Sequence, residues 1–475
     1  MASALAVLLL AGCAARPAPV AVAPEAPPPA PATAAPPPAR AAADLQPVPD
    51  GPVILRAGIA LRKLVDVPGG TIRLARDPLS GDLLFLNPAD GLFRVPLAAP
   101  EPARVAPTAE IVGEAVPSGM AFGPDGALYV VANRSSGTRT RATIVRGTPD
   151  GGGGFRWGTV ATTAGYPLSN TPFDHLFNGV VVSPDGRWLF VNSGSRTDHG
   201  EVQSNGGAYP DTREVALSAR ILRLPADAAD LSLPNDEAAL EAAGYIFARG
   251  TRNAYDMAFA PDGELFAIDN GPDADYPDEL NWIVAGGHYG FPWRFGDQDN
   301  PQRRSDYDPT ADRLLQPDFT AVKTGAYHND PAFPPPPGPF RDPVANLGPA
   351  AAQFRAPDGS EQDAAAQGRP LLSFTPHRSP LGLAFAGDGM PADLRGEDGA
   401  MGAFVLSWGA AGGTLSDRGQ DLLHLALRRE GDTYVMTSVD LARGFKLPID
   451  STLAENRLYV LEFGAPGGIW ELTFE

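Results

Sequence analysis

Residues 250–293 read GTRNAYDMAFAPDGELFAIDNGPDADYPDELNWIVAGGHYGFPW, and this stretch decides the fold. Two apolar runs, MAFA and ELFAID, flank Pro-Asp-Gly. Asp tolerates and Gly supplies the positive φ of a tight turn, so the segment is expected to be a β-hairpin. Polar groups gather at its ends: an Arg-Asn pair before the first run, then Asn-Gly-Pro and an acidic cluster after the second. A Gly- and aromatic-rich segment closes the unit. Loops at strand ends carry chemistry that strands only hold in place, so this unit is expected to contribute to a site.

The same pattern recurs along the chain. Clear copies are MAFGPDGALYVVAN at 120–133, VVVSPDGRWLFVNSG at 180–194 and MAFAPDGELFAIDNG at 257–271. Weaker copies lie at 74–88, 383–409 and 447–464. Six similar hairpins at long, uneven spacing predict an all-β, six-bladed β-propeller with one small sheet per blade. A β-sandwich is the alternative, but it has no need of six such hairpins. The propeller is expected over 49–475, with one short helix at 235–243. Two stretches break the repeat. Residues 196–212 are polar and Gly-rich and are expected to form a loop. Residues 297–370 are Pro-rich, with a strand signal only around 321–327, and read as a long loop insertion that forms a lid over one end of the central channel.

Composition narrows the partners. The 475 residues carry 56 acidic and 37 basic side chains, a formal charge of -19, so nucleic acid is not an expected partner. High Gly (53) and Pro (51) content suits many short strands joined by turns. The single cysteine, Cys13, follows Leu8-Leu9-Leu10-Ala11-Gly12. An apolar run ending in small residues and Cys resembles a bacterial lipobox, so 1–13 is expected to be a signal peptide whose Cys13 becomes lipidated. A chance match in an Ala-rich leader is the alternative, and no Lys or Arg precedes the run. Residues 14–48 are mostly Ala, Pro and Val and read as a disordered Pro/Ala-rich linker. The chain is thus expected to be exported to a bacterial cell envelope as an outer-membrane lipoprotein facing the periplasm. It would meet the membrane only through the lipid.

Several residues have the chemistry of a site. His175, in Asp174-His175-Leu176-Phe177-Asn178-Gly179, stands at a strand entrance, and imidazole titrates near neutrality, where it can take a proton from a hydroxyl. A loop histidine bonded to backbone is the plain alternative. Arg252 and Asn253 can stabilise developing negative charge, or the arginine can tie two blades through carbonyls. Gly271-Pro272 with Asp273, Asp275, Asp278 and Glu279 offers hard oxygen donors for Ca2+, although an acidic run is also what a solvated loop looks like. Of the tryptophans, Trp293 and Trp408 lie near loop ends, where a sugar platform would sit.

The order of these motifs resembles the glucose/sorbosone dehydrogenase family, the soluble pyrroloquinoline-quinone-dependent sugar dehydrogenases. The resemblance is carried by Asp174-His175, by Arg252-Asn253, by Gly271-Pro272 followed by Asp278-Glu279-Leu280-Asn281, and by Gly286-Gly287-His288-Tyr289-Gly290-Phe291-Pro292. Further blocks are His377-Arg378-Ser379-Pro380-Leu381-Gly382-Leu383-Ala384-Phe385 and Leu447-Pro448-Ile449-Asp450. It implies catalytic roles for His175 as general base and Arg252 as stabiliser of the reduced quinone. Asp174 and Asn253 would lie by the cofactor, with Gly271, Pro272, Asp278 and Glu279 around calcium. It also implies a sugar substrate and an electron acceptor, either a quinone or a periplasmic carrier. The chain departs from the pattern at Asp269-Asn270, at Tyr276-Pro277, at Leu447 where Arg is usual, and after Phe385. There the family has a Lys and this chain has Ala386-Gly387-Asp388, which leaves Arg418 and Arg378 to hold the cofactor's carboxylates. Two other functions stay open: a cofactor-free propeller serving as a binding or assembly module, and a calcium-dependent, lactonase-like hydrolase.

Overall fold

The computed structural model describes residues 51–210, 212–409 and 415–475. The expected signal peptide with Cys13 and the expected linker over 14–48 lie outside the described residues. Among those residues no helix is long and apolar enough to cross a membrane.

Six antiparallel sheets follow one another as blades, and their innermost strands are Arg73–Arg76, Val116–Phe122, Phe177–Val182, Ala254–Phe259, Pro380–Phe385 and Pro448–Ala454. Each innermost strand packs beside the next and the sixth beside the first, so the ring is closed. All six repeats read from the sequence fall on the two inner strands of a blade. The Pro-Asp-Gly turns form as expected, with Gly126, Gly186 and Gly263 at φ of 80°, 73° and 88°. Apolar residues of neighbouring sheets interlock between blades. Val180, Val182, Leu189 and Val191 of the third blade, for example, pack on Tyr129, Val131 and Ile144 of the second.

The inner strands approach one another closely. A Cβ on Gly119 would lie 1.8 Å from the Asn178 carbonyl oxygen, so only glycine fits between these two blades. In five of the six blades, the pairing of the innermost strand with its neighbour slips by a residue near the strand start, as between Ala254 and Asp256. Such bulges turn the strand entrance toward the channel and commonly stand next to sites. The sixth blade is completed from the other end of the described chain. Its third strand, Gly467–Phe474, pairs with Ile59–Val67 along a register running from Ile59 opposite Phe474 to Val67 opposite Gly467.

The helix expected near 235–243 is Glu237–Ala242, capped by Asp236, whose carboxylate accepts the Ala239 N–H at 2.8 Å. The strand signal at 321–327 is not realised. Thr320–Lys323 is helical instead, because the Asp273 carboxylate takes the Ala321 N–H at the first turn and Ala321 is buried among aromatic residues. Within 297–370, Ala345–Pro349 runs parallel to Thr433–Arg443, the fourth strand of the fifth blade. Upstream of it the segment rests on the 196–213 loop: His199 stacks on Tyr327 with ring centroids 3.6 Å apart, and Arg213 pairs with Asp330.

Candidate functional site

The hairpin turns lie at one end of the blades. His175, Arg252, Asn253, Arg378 and Leu447 immediately precede innermost strands and so lie at the other end. The loop after Trp188–Ser193 and the loop between Leu265–Asp269 and Glu279–Ile283 return to that same end.

His175 is held from the 193–197 loop. Its N–H meets the Ser195 carbonyl at 3.0 Å and its Nδ1 lies 3.0 Å from Ser195 Oγ. Ser195 Oγ gives its only proton to the Thr197 carbonyl, at 2.7 Å. Toward the imidazole the hydroxyl can therefore only accept, which puts the ring proton on Nδ1 and leaves the Nε2 lone pair available. Burial and the nearby Arg252 cation push His175 down to about 3, so the ring is neutral at pH 7. Gly194 makes room for it: a Cβ there would meet the His175 Cβ at 2.5 Å.

Arg252 is anchored on both sides. Its Nε donates to the Asp198 carbonyl at 2.7 Å, its Nη2 to Asp198 Oδ1 at 2.7 Å and its Nη1 to the Asn270 carbonyl at 3.1 Å. Its backbone N–H and that of Asn253 both reach the Asp269 carboxylate. Asp198 also accepts from His199 Nδ1 at 2.8 Å and from the Asp273 N–H at 3.1 Å. Burial would raise Asp198, but Arg252 and His199 outweigh it and hold the carboxyl well below its usual range.

Four asparagines join three blades across the same face. Asn192 donates to Asn178 at 2.7 Å, Asn178 to Asn253 at 2.8 Å, Asn253 to Asn270 at 3.3 Å, and Asn270 to the Pro380 carbonyl at 3.0 Å. Deeper in the channel, Arg73 donates to the Ser118 and Tyr255 carbonyls, each at 3.0 Å, and lies 3.9 Å from the centre of the Tyr255 ring.

Four expectations need correction. Asp174 does not face this site, because its carboxylate is taken up by the Ser169 N–H and hydroxyl and the Asn170 N–H. Arg378 is 1% exposed and paired with both Asp417 and Asp421, so it is a structural cation. Arg418 is exposed beside a different cavity of about 420 Å³, lined also by Asp421, Asp440 and Arg443. Asp278 and Glu279 do not converge on a cation. Asp278 accepts the Gly271 and Ser379 N–H groups at 2.8 and 2.9 Å, while Glu279, the next residue along the strand, binds the Gly296 N–H and Asn281. Burial raises both carboxyls, Glu279 to about 8 with Asp269 adding to the rise. No group of three or more His, Cys, Asp or Glu among the described residues is arranged to hold a metal. Of the two backbone oxygens expected from the sequence, that of Pro272 accepts the Ala274 N–H at 2.7 Å.

The gap after Phe385 has a simple geometric reading. Phe385 ends its strand at the hairpin-turn end, about 17 Å along the strand from Pro380, so Ala386 lies away from His175. Trp293 gives its indole N–H to the Pro334 carbonyl at 2.8 Å and packs in the insertion. Asp198, Ser195, Asn192 and Asp269 were not singled out from the sequence as site residues. Only the Asp-His pair in RTDHGE hinted that the 196–212 loop was more than a connection.

This is a six-bladed propeller with a histidine, an arginine and an asparagine ladder gathered at one mouth. Residues 158–325 match the Glucose / Sorbosone dehydrogenase family model, and that segment contains His175, Arg252, Asn253 and the Gly271–Pro292 motifs. A curated relative, quinoprotein glucose dehydrogenase B of Acinetobacter calcoaceticus, is 31% identical over 144 residues, 27% of this chain and 27% of the relative. The soluble aldose sugar dehydrogenase (Asd) of Escherichia coli superposes with a TM-score of 0.55 at 16% identity, covering 88% of this chain and 100% of that one. The pyrroloquinoline-quinone domain of pyranose dehydrogenase from Coprinopsis cinerea gives 0.54 at 14% identity, over 89% and 97%. At such identities the structural likeness is one of fold. Over residues 158–325 this six-bladed β-propeller is similar to the glucose/sorbosone dehydrogenase family.

Proposed function

We propose that this protein oxidises a sugar hydroxyl, or a sorbosone-like aldehyde, as a pyrroloquinoline-quinone-dependent dehydrogenase with bound calcium. The observation that carries the reading is the neutral His175, whose Nδ1–H is fixed on Ser195 and whose Nε2 is free to act as a base. The family match over 158–325 supports it. The fit to the cofactor is at its reactive end. Arg252 uses three of its five N–H groups on Asp198 and Asn270, so it retains donors for an oxygen that gains negative charge. Asn253 stands beside it, and the carbonyls of Gly271 and Pro272 are the candidate oxygens for calcium. The cofactor's carboxylates find less, since Arg378 is already neutralised and Arg418 stands elsewhere. When bound, the quinone supplies the carbonyl that accepts hydride.

His175 would take the hydroxyl proton at Nε2, while Ser195 keeps the ring from turning. Asp198 holds the Arg252 guanidinium in the plane set by its two hydrogen bonds, so the charge need not reorganise during the reaction. Electrons would leave to a membrane quinone or a periplasmic carrier, in keeping with an exported lipoprotein anchored through Cys13.

The test is a titration of the purified chain with pyrroloquinoline quinone and calcium, followed by a panel of aldoses. A calcium-dependent shift of the quinone absorbance that bleaches with sugar supports the dehydrogenase. Failure to bind the cofactor would give precedence to a cofactor-free binding module, the reading favoured by the pairing of Arg378 with Asp417 and Asp421.

A further inference from the structure

A second cavity stands apart from the His175–Arg252 mouth. It has about 610 Å³ and lies between residues 297–314 and 354–372, with Tyr276 in its wall. That volume suits a small organic ligand, for which pockets of about 300–1,000 Å³ are usual. Its shape is set by packed parts. Tyr276 lies 5.0 Å from Phe295 ring to ring, Tyr307 donates to Asp312 at 2.9 Å, and the Arg369 guanidinium covers one face of Phe354 at 4.1 Å.

Tyr276 is the informative residue. It is 3% exposed, yet its hydroxyl makes no hydrogen bond with any described residue, although Asp312 and Arg304 are near enough to act on it electrostatically. The ring is packed away while the hydroxyl, which is not among the buried unpartnered polar atoms, opens on the cavity as a donor and acceptor for a ligand. The charges of the lining nearly cancel, with five aspartates against four arginines, of which Arg355 is already paired to Asp275. A strong anion would meet the carboxylates, and a cation the guanidinium groups. A neutral polyhydroxyl ligand satisfies both, because each hydroxyl donates to a carboxylate and accepts from a guanidinium. Tyr307 and Phe354 add apolar surface for the C–H face of a sugar ring.

We propose that this cavity is a saccharide-binding site distinct from the His175–Arg252 mouth, sized for a mono- or disaccharide unit. It is independent of the dehydrogenase reading, since it requires neither cofactor nor turnover.

The experiment is calorimetric titration of the purified chain, without cofactor, with the neutral disaccharides maltose, cellobiose and lactose, and with citrate as the anionic comparison. At least one disaccharide is expected to bind, about tenfold more weakly to Tyr276→Phe, which removes only the hydroxyl. Arg304→Ala, at the exposed rim, checks the same cavity without disturbing its buried wall and is also expected to weaken binding. His175→Ala is expected to leave the affinity unchanged. The proposal is overturned if no disaccharide binds, if citrate binds in their place, or if binding survives both cavity variants and is lost in His175→Ala.

Discussion

Asp198 and Arg252 are joined twice, through the Asp198 carboxylate to Nη2 and through its backbone carbonyl to Nε, each at 2.7 Å, with the aspartate fully buried. One residue belongs to a polar loop of the third blade and the other to the entrance of the fourth. The pair orients the Arg252 guanidinium, whose Nη1 also reaches the Asn270 carbonyl just before Gly271-Pro272. Removing one partner of a buried ion pair strands the other charge.

Asp198→Asn is therefore expected to cost about 3–5 kcal/mol of stability at pH 7. The folded carboxyl is held below its ordinary value, so its contribution is complete above about pH 4 and disappears as pH falls toward the folded pKa. Urea unfolding from pH 3 to pH 7 checks this: the gap between wild type and variant should widen from pH 3 to about pH 4 and stay level above it.

His175 should govern turnover without governing the fold. In the proposed reaction His175→Ala is expected to lower kcat/KM by about 10²–10⁴-fold, with cofactor binding retained. The imidazole is pushed down to about 3 and the base must be neutral to act. Loss of activity through protonation of His175 therefore belongs near pH 3, and a pH profile should show no His175 inflection between 6 and 7.

Gly194→Ala is a steric test of the same residue. The added methyl would lie 2.5 Å from the His175 Cβ and 3.1 Å from the Leu176 carbonyl oxygen, so the loop must shift. A loss of about 1–3 kcal/mol in thermal or urea unfolding is expected, as for overpacking elsewhere. The defect in turnover should exceed what the stability loss explains.

Glu279 offers a test with the opposite sign. Its folded carboxyl is raised to about 8 by burial and by Asp269, so its contribution is fullest below its unfolded value and declines as pH rises toward 8. Glu279→Gln removes that titration. The melting temperature of the variant should gain on wild type steadily from pH 5 to pH 8; a constant difference would show that Glu279 is charged throughout.

The hairpins were legible because Pro-Asp-Gly marks a turn by local chemistry alone, and their number was enough to yield six blades. The outer strands were harder to read. Arg220–Pro225 joins the third blade as its third strand only after the chain leaves Ser193 and wanders through the 196–212 loop, a pairing that no local pattern records. The helix at Thr320–Lys323 was missed for a similar reason, since its first turn is satisfied by Asp273 from a distant loop of the fourth blade. In the site, motif order brought forward His175, Arg252 and Asn253. Asp198 stayed hidden because nothing near it in sequence says that an arginine lies across from it. Asp174, Asp278 and Glu279 are taken up mainly by backbone amides, and Arg378 by Asp417 and Asp421, partners that the sequence does not announce.

The pairing of Gly467–Phe474 with Ile59–Val67 has a consequence for how the chain reaches this state. Partners about 400 positions apart must find each other, so sealing the ring is the most non-local strand pairing among the described residues. During synthesis Ile59–Val67 emerges about 400 residues before Gly467–Phe474, so it is an unpaired edge until that strand follows. An edge left open that long is where strand exchange with a second nascent chain would begin. The sixth blade thus sets the vulnerable interval in the life of this protein.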